Sequence, residues 1–261
     1  MTVPSFDPSR LLAAGLVAQA EHHVTIGSSN DRARELAADP STRLPALVLA
    51  DAQTAGRGRG ENRWWTGAGS LAFSLLFDPA AFGIARQESP RASLSAAVAI
   101  VRSVGPLLEG HELGLHWPND VFAAGRKLAG ILVEALPDGR HVLGIGLNTN
   151  NTLSAAPAEV RNVAVTLRDL TGRHIDHHEL LAVLLSELWT ALEELAADPA
   201  TAGAEYDALC LQRGATFTLR AADRLTTGRC AGIAPDGALL LDTAAGRQRF
   251  YGGVLVKDEG L

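Results

Sequence analysis

The chain has 261 residues, 47 % of them hydrophobic, 20 % charged and 5 % aromatic. At about 100–200 residues per domain, that length suits one large domain or a larger and a smaller one, with a core built mainly on Leu, Val, Ile and Ala. The formal net charge of −6 argues against broad binding to nucleic acid or an anionic membrane, and no apolar run approaches the ~18 residues of a membrane span.

Residues 11–20 are apolar and read as a helix packed on the domain. The triplet Ala18-Gln19-Ala20 looks like a signal-peptidase site, but Asp7 offsets Arg10, so the positive region of a signal peptide is missing. Residues 30–38 read as a helix capped by Ser29 or Asn30, with Pro40 beyond its end. Ala46–Ala50 reads as a buried strand, followed at once by a stretch rich in glycine and arginine over 56–69. A second strand covers Leu71–Phe77, bounded by Asp78-Pro79, and residues 91–108 form a helix of small and aliphatic side chains. Three strand-like runs follow at 113–117, 127–135 and 142–147, with turn residues at Gly125-Arg126 and Pro137-Asp138-Gly139. Residues 178–197 have helical periodicity and stop at Asp198-Pro199, before another helical run to about Leu211. After Gly214 the character changes to short strands at 216–220, 229–233, 238–242 and 247–251, separated by turns such as Asp236-Gly237 and Ala245-Gly246. That spacing predicts a small β-barrel after an α/β domain.

Four constellations carry candidate chemistry. In Gln53-Thr54-Ala55-Gly56-Arg57-Gly58-Arg59-Gly60-Glu61-Asn62-Arg63-Trp64, alternating Gly and Arg directly after a buried strand is unusual for an acidic protein. Glycines let backbone N–H groups approach a ligand, and Arg57 and Arg59, two apart, point to one side of an extended chain. Guanidinium groups there suit a carboxylate and a phosphate; a flexible solvated loop or a Gly-Arg segment touching RNA fits the same residues. In Trp117-Pro118-Asn119-Asp120, Asp120 offers a hard oxygen ligand to Mg²⁺ and Asn119 a polar contact to a phosphate, although Pro-Asn-Asp is also good turn chemistry.

The third is Arg126-Lys127-Leu128-Ala129-Gly130-Ile131-Leu132-Val133-Glu134. A lysine at the mouth of a buried strand calls for an anionic partner, which makes Lys127 the leading catalytic cation; a lysine reaching out to solvent is the plain alternative. Gly130 would let a ligand lie against the strand. In Gly144-Ile145-Gly146-Leu147-Asn148, the glycines suggest close approach by a flat group and Asn148 can pair with a base edge, against a simple bulge and polar turn. The histidines at 22, 23, 174, 177 and 178 lack metal-site spacing. Cys210 and Cys230 are too few for a disulfide framework and are expected as buried thiols in a reducing cytosol.

In this order the motifs resemble those of the biotin–protein ligase family: the Gly-Arg-Gly-Arg loop at 56–64, the Trp-Pro-Asn-Asp segment at 116–120, the Arg-Lys-Leu-Ala-Gly-Ile-Leu-Val-Glu strand at 126–134, the Gly-Ile-Gly-x-Asn strand at 144–148, and Gly27-Ser28-Ser29-Asn30 as an entry motif. Residues 214–257 look like the family's C-terminal SH3-like barrel. The resemblance implies an α+β fold of the class II aminoacyl-tRNA-synthetase-like type, with a catalytic domain over 1–212 and the barrel over 213–261. It implies a cytoplasmic ATP-dependent ligase that makes biotinyl-5′-AMP from biotin and ATP, with Mg²⁺, and passes biotin to a lysine of a biotin carboxyl carrier protein. As implied roles, Ser28, Ser29, Gln53, Gly56 and Arg57 contact the biotin head group, Gly130 lies against biotin and Trp64 covers the adenylate. Arg59 and Lys127 hold the carboxylate against the α-phosphate, Asn119 and Asp120 position ATP and Mg²⁺, and Asn148 contacts adenine.

Two positions depart from the family pattern. Gly60-Glu61-Asn62 replaces Arg-Gly-Arg in the loop, which predicts looser retention of the adenylate, and His116 replaces the usual lysine before Trp-Pro-Asn-Asp. The residues before Gly27 are too few for the winged-helix domain of some family members, so a ligase without a repressor role is expected, either a monomer or a homodimer. A lipoate or octanoate transferase on the same fold is the nearest alternative; its Ser-Gly-Gly-Gly run is missing. An RNA-binding protein built on the Gly-Arg loop would need interleaved aromatics and a basic charge. A biotin-binding module that has lost activity is opposed by intact Lys127 and Asp120.

Overall fold

The computed structural model describes residues 6–85 and 88–256. Residues 257–261, the end of the barrel unit expected over 213–261, lie outside them. A seven-stranded sheet carries the larger part of the chain. Its strands are β1 (Gln19–His23), β2 (Ala46–Ala50), β3 (Leu71–Phe77), β4 (Leu113–His116), β5 (Asp120–Ala123), β6 (Arg126–Ala135) and β7 (His141–Leu147), in the order β1-β2-β3-β7-β6-β5-β4. Only β1 and β2 run parallel; the other neighbours are antiparallel.

β2, β3 and β7 are buried along their whole lengths, because helices cover both faces. On one face lie α3 (Ala92–Val104) and α6 (His177–Ala197), whose Leu181, Leu184, Leu185, Leu188 and Leu192 are all buried. The 21-residue α6 starts at Asp176, whose carboxylate accepts from the backbone N–H groups of His178 and Glu179, a capping contact of about 1 kcal/mol. On the other face α2 (Ser29–Ala38) packs Ala33 and Leu36 against Ala46, Val48, Leu76 and Val142. α2 covers only part of that face, and the remainder opens toward the Gly-Arg loop.

The elements at 30–38, 46–50, 71–77, 91–108, 127–135, 142–147 and 178–197 form as expected, within a few residues at their ends. The first expectation is wrong in part. The N-terminal helix, α1, spans only Ser9–Ala13, and Gln19–His23 is an edge strand. Gln-Ala-Glu-His-His has no apolar alternation; what makes it a strand is the backbone ladder to β2, with Ala18 N–H also on Pro45 O at 2.8 Å. The last two residues of the signal-peptidase-like triplet, Gln19 and Ala20, are thus part of the sheet. β5 also escaped the sequence reading, since its first residue belongs to the Pro-Asn-Asp turn.

Past the short helices α4 (Ala158–Arg161) and α5 (Leu167–Thr171), and then α7 (Pro199–Ala208), a five-stranded antiparallel sheet follows. It comprises β8 (Thr216–Ala221), β9 (Arg224–Ile233), β10 (Leu239–Thr243), β11 (Gly246–Phe250) and β12 (Val254–Val256), ordered β11-β10-β9-β8-β12. β9 begins earlier than its apolar part suggests, and β12 was not expected at all. The interior residues Leu219, Cys230, Ile233, Leu239 and Leu241 merge with the main core. Both cysteines are free and buried. At the junction the Trp117 indole Nε1 donates to Gly237 O at 3.1 Å, and the Arg91 guanidinium donates to Pro199 O at 3.0 Å and to Pro235 O.

Candidate active site

A cavity of about 970 Å³ opens between α2, the Gly-Arg loop, β6, β7 and the barrel edge. Ser28, Ser29, Gln53, Arg57, Arg59, Trp64, Asn119, Asp120, Lys127, Gly130 and Asn148 all line it. Gly56 does not; it sits behind the wall, where a Cβ would come within 2.5 Å of Trp64 O.

One end is a polar cradle at the start of α2. Ser28 holds the N-cap position, extended at φ −150°, but makes no capping hydrogen bond. Among the described residues its buried hydroxyl has no hydrogen-bond partner. Ser29 donates to Gln53 Oε1 from its backbone N–H at 2.8 Å and from its hydroxyl at 3.2 Å, and Gln53 Nε2 donates to Thr66 Oγ1 at 3.1 Å. Ser74, buried on β3, reaches Ser29 Oγ at 2.7 Å and Asn30 Oδ1 at 2.6 Å. Side chains fixed this way keep donors and acceptors at set positions, as recognition of a compact polar ring requires.

The Gly-Arg loop is not an irregular coil but a small hairpin. Arg57 and Arg63 form an antiparallel bridge, Gly58 N–H donates to Asn62 O at 2.8 Å and Trp64 N–H to Gly56 O at 3.0 Å. Gly60 turns the tip at φ +61°, a conformation suited to glycine. The two arginines do not act as the pair expected from their spacing. Arg57 Nη1 is engaged by Asp31 Oδ1 at 3.1 Å and Glu134 Oε2 at 3.0 Å. Arg59 Nη1 reaches across the cavity to Asn119 Oδ1 at 3.1 Å and Gly253 O at 3.4 Å, and has no ion pair among the described residues. Burial pushes its guanidinium below the usual range, opposed by the Asp120 carboxylate, so an anionic ligand beside it would relieve an unneutralised charge.

Beneath Arg59 the Lys127 ammonium lies 2.7 Å from Asp120 Oδ2 and 5.7 Å from the centre of the Trp64 ring. The other carboxylate oxygen of Asp120, Oδ1, is buried and has no hydrogen-bond partner among the described residues. Asn119 donates to Ile131 O at 2.7 Å while accepting from Arg59, so its amide joins the loop to β6. Asn148 is buried, with Oδ1 accepting from Asn151 at 3.2 Å. His116 lines the same cavity, stacks on Phe122 with ring centres 4.2 Å apart, and is held neutral-leaning by burial, against the pull of Asp120.

The glycines expected to admit a flat ligand admit side chains of the chain itself. A Cβ on Gly146 would fall 2.1 Å from the Trp64 indole, one on Gly130 would fall 2.9 Å from it, and one on Gly144 would fall 2.0 Å from Asn30 Oδ1. The sequence reading missed the supporting polar residues Asn30, Asp31, Ser74 and Glu134. Asn30 and Glu134 lay inside quoted motifs; Ser74, in an otherwise apolar strand, was the one local clue. It also missed the barrel's share of the wall, Arg220, Ala222 and residues 253–255, which no local pattern marks. Among the described residues no group of three or more His, Cys, Asp or Glu is placed to hold a metal.

The sequence pattern of the Biotin/lipoate A/B protein ligase family matches residues 26–150, and that of the Biotin protein ligase C terminal domain matches residues 216–257. A biotin–[acetyl-CoA-carboxylase] ligase from Paracoccus denitrificans is 32 % identical over 240 residues, covering 87 % of this chain and 98 % of its own. A bifunctional ligase/repressor from Bacillus subtilis is 30 % identical over 240 residues, covering 88 % of this chain and 71 % of its own. The structure of the Aquifex aeolicus biotin protein ligase, solved with biotin and ATP, superposes with a TM-score of 0.78 at 26 % identity, covering 91 % of this chain and 97 % of that one. The chain belongs to the biotin protein ligase family.

Proposed function

We propose that the protein activates biotin with ATP to biotinyl-5′-AMP and transfers the biotinyl group to a lysine of a biotin carboxyl carrier protein. The observation that carries this reading is the convergence of Arg59, Lys127 and Asp120 on one cavity, next to a fixed polar cradle. Ser28, whose hydroxyl has no partner among the described residues, takes the ureido head group together with Ser29, Gln53 and Arg57, while Gly56 only shapes the loop behind the wall. Arg59 and Lys127 draw the biotin carboxylate and the α-phosphate together, offsetting the repulsion between two anions. The carboxylate oxygen attacks the α-phosphorus and pyrophosphate leaves; the amine of the carrier lysine then attacks the acyl carbon and AMP leaves. Trp64, whose indole packs on Gly130 and Gly146, must swing off these glycines to cover the intermediate, and Asn148 meets the adenine edge.

Asp120 would hold the Mg²⁺ that accompanies ATP. Its Oδ1, without a hydrogen-bond partner among the described residues, fits the ion, since Mg²⁺ bound with a nucleotide takes one or two carboxylates and fills its other positions with phosphate oxygens and water. The ion would neutralise phosphate charge; Asn119 keeps Asp120 and β6 in register. The same reading places the catalytic unit in 1–212 and the barrel in 213–261, and the protein in the cytoplasm as a monomer or homodimer.

The test is mass spectrometry of a biotin-carrier domain incubated with the protein, biotin and Mg·ATP. One added biotinyl group is expected, with the rate cut roughly 10²-fold or more in Lys127→Ala, as for loss of a charge-stabilising donor. A mass gain with lipoate on a lipoyl domain, and none with biotin, would overturn the reading. Glu61 lines the cavity at the hairpin tip and sets an anion near the bound adenylate. Glu61→Gly is therefore expected to slow release of biotinyl-AMP, and an unchanged rate would remove the assigned effect of this loop departure.

A further inference from the structure

We propose that Glu134 is a positioning residue that latches the Gly-Arg hairpin shut through Arg57, and that its charge sets how long the closed pocket holds its contents. Glu134 is on β6 and does not line the cavity, yet its carboxylate gathers the polar groups behind the wall. Oε2 accepts from Arg57 Nη1 at 3.0 Å and from Asn30 Nδ2 at 2.9 Å, while Oε1 lies 3.5 Å from Arg34 Nη1. Asp31, in the first turn of α2, takes the same Arg57 nitrogen at 3.1 Å and also pairs with Arg34. The Glu134 side chain is 19 % exposed, against 45 % for Asp31, so Glu134 is the less screened and stronger of the two holds on Arg57.

The arrangement joins three elements by one carboxylate. The hairpin is attached through Arg57, the cradle through Asn30, and the sheet through Glu134 itself. Asn30 is locked in turn, since Ser74 donates to its Oδ1 and Gly144 leaves it just enough space. Opening the hairpin would strand Glu134 among Asn30 and Arg34 with its closest cation gone. Beyond this latch, Arg59 holds Asn119 and a barrel carbonyl and the Trp64 indole rests on Gly130 and Gly146; among the described residues the hairpin's backbone hydrogen bonds from Gly58, Asn62 and Trp64 are internal to it.

The latch itself stands on geometry; its effect on the adenylate rests on the biotin-ligase reading. The experiment therefore reads both. Limited trypsin cleavage after Arg59 and Arg63, identified by fragment mass, measures hairpin opening in the ligand-free protein. Dissociation of biotinyl-AMP measures retention. Glu134→Gln keeps the volume and an acceptor for Asn30 but removes the charge. It is expected to speed both processes about tenfold, the effect of losing one charge-assisted contact in partly solvated surroundings, with the biotin KM rising and kcat at saturation nearly constant. Asp31→Asn should act in the same direction more weakly. Adding Glu134→Gln to Arg57→Ala should change neither rate further, because the two residues act as one unit. Unchanged cleavage in Glu134→Gln, or fully additive effects in the double variant, would overturn the latch. Faster cleavage in a protein that fails to biotinylate its carrier would leave the latch standing and remove the biotin reading instead.

Discussion

Gly144 fixes how closely Asn30 can lie against β7. A Cβ there would reach the Asn30 amide at 2.0 Å, so Asn30 must move, and with it the bonds from Ser74 and to Glu134. Gly144→Ala should cost about 1–3 kcal/mol of stability, the usual penalty for an extra methyl in a filled site. It should also raise the biotin KM roughly tenfold, because Ser74 bonds Ser29 as well as Asn30 and a 1.4 kcal/mol loss is one decade of affinity. Urea unfolding and steady-state kinetics check the two parts separately; an unchanged KM would show that the cradle tolerates a displaced Asn30. At this scale the sequence was informative about which residues meet, and less so about what each touches. Arg57 and Arg59 look equivalent in Gly-Arg-Gly-Arg, yet one is held by carboxylates behind the wall and the other crosses the cavity. That difference depends on Asp31 and Glu134, which are distant along the chain.

Among the elements, α6 and the loop before it offer a pH-dependent contact. His177, in the first turn of α6, lies 2.7 Å from Thr149 Oγ1 and 3.2 Å from Asn150 Nδ2 in the loop after β7. Burial, helped by His174 nearby, pushes its pKa below 6.5. The folded state therefore takes up the proton less readily than the unfolded chain. Stability from this residue is complete above about pH 6.5 and declines as pH falls through and below that value, where the unfolded chain alone gains the proton. Thermal unfolding between pH 8 and 5 should show this decline, and His177→Gln should flatten it; an identical slope in the variant would assign the dependence elsewhere. Element type was legible wherever burial is regular, as in β2, β3, β7 and α6. It was not legible in β1 and β5, short strands whose state depends on neighbours that supply their hydrogen bonds.

For the whole molecule, the site is completed by the barrel. Arg220, Ala222 and residues 253–255 close the cavity wall, and Arg59 reaches Gly253 O, so how the barrel is seated matters to the cavity. Trp117 is central to that seating: it is 2 % exposed, its backbone N–H donates to Gln212 Oε1, and its indole donates to Gly237 O. Trp117→Phe keeps the ring but leaves the Gly237 carbonyl unpaired, which should cost about 1–3 kcal/mol, read as a lower urea midpoint with unchanged slope. A lower slope would mean instead that the barrel has come loose as a separate unit. By itself the sequence determined the element types of the core, the change from an α/β to an all-β region near Gly214, the family, and the motif residues that line much of the cavity. These follow from periodicity and from short motifs whose residues are adjacent along the chain. Only the tertiary structure decided that Trp64 and Asn30 occupy the spaces beside the strand glycines, that Glu134 holds Arg57, and that the barrel forms part of the wall. Each of those is a contact between residues far apart in sequence, where packing and charge pairing, not local propensity, choose the partner.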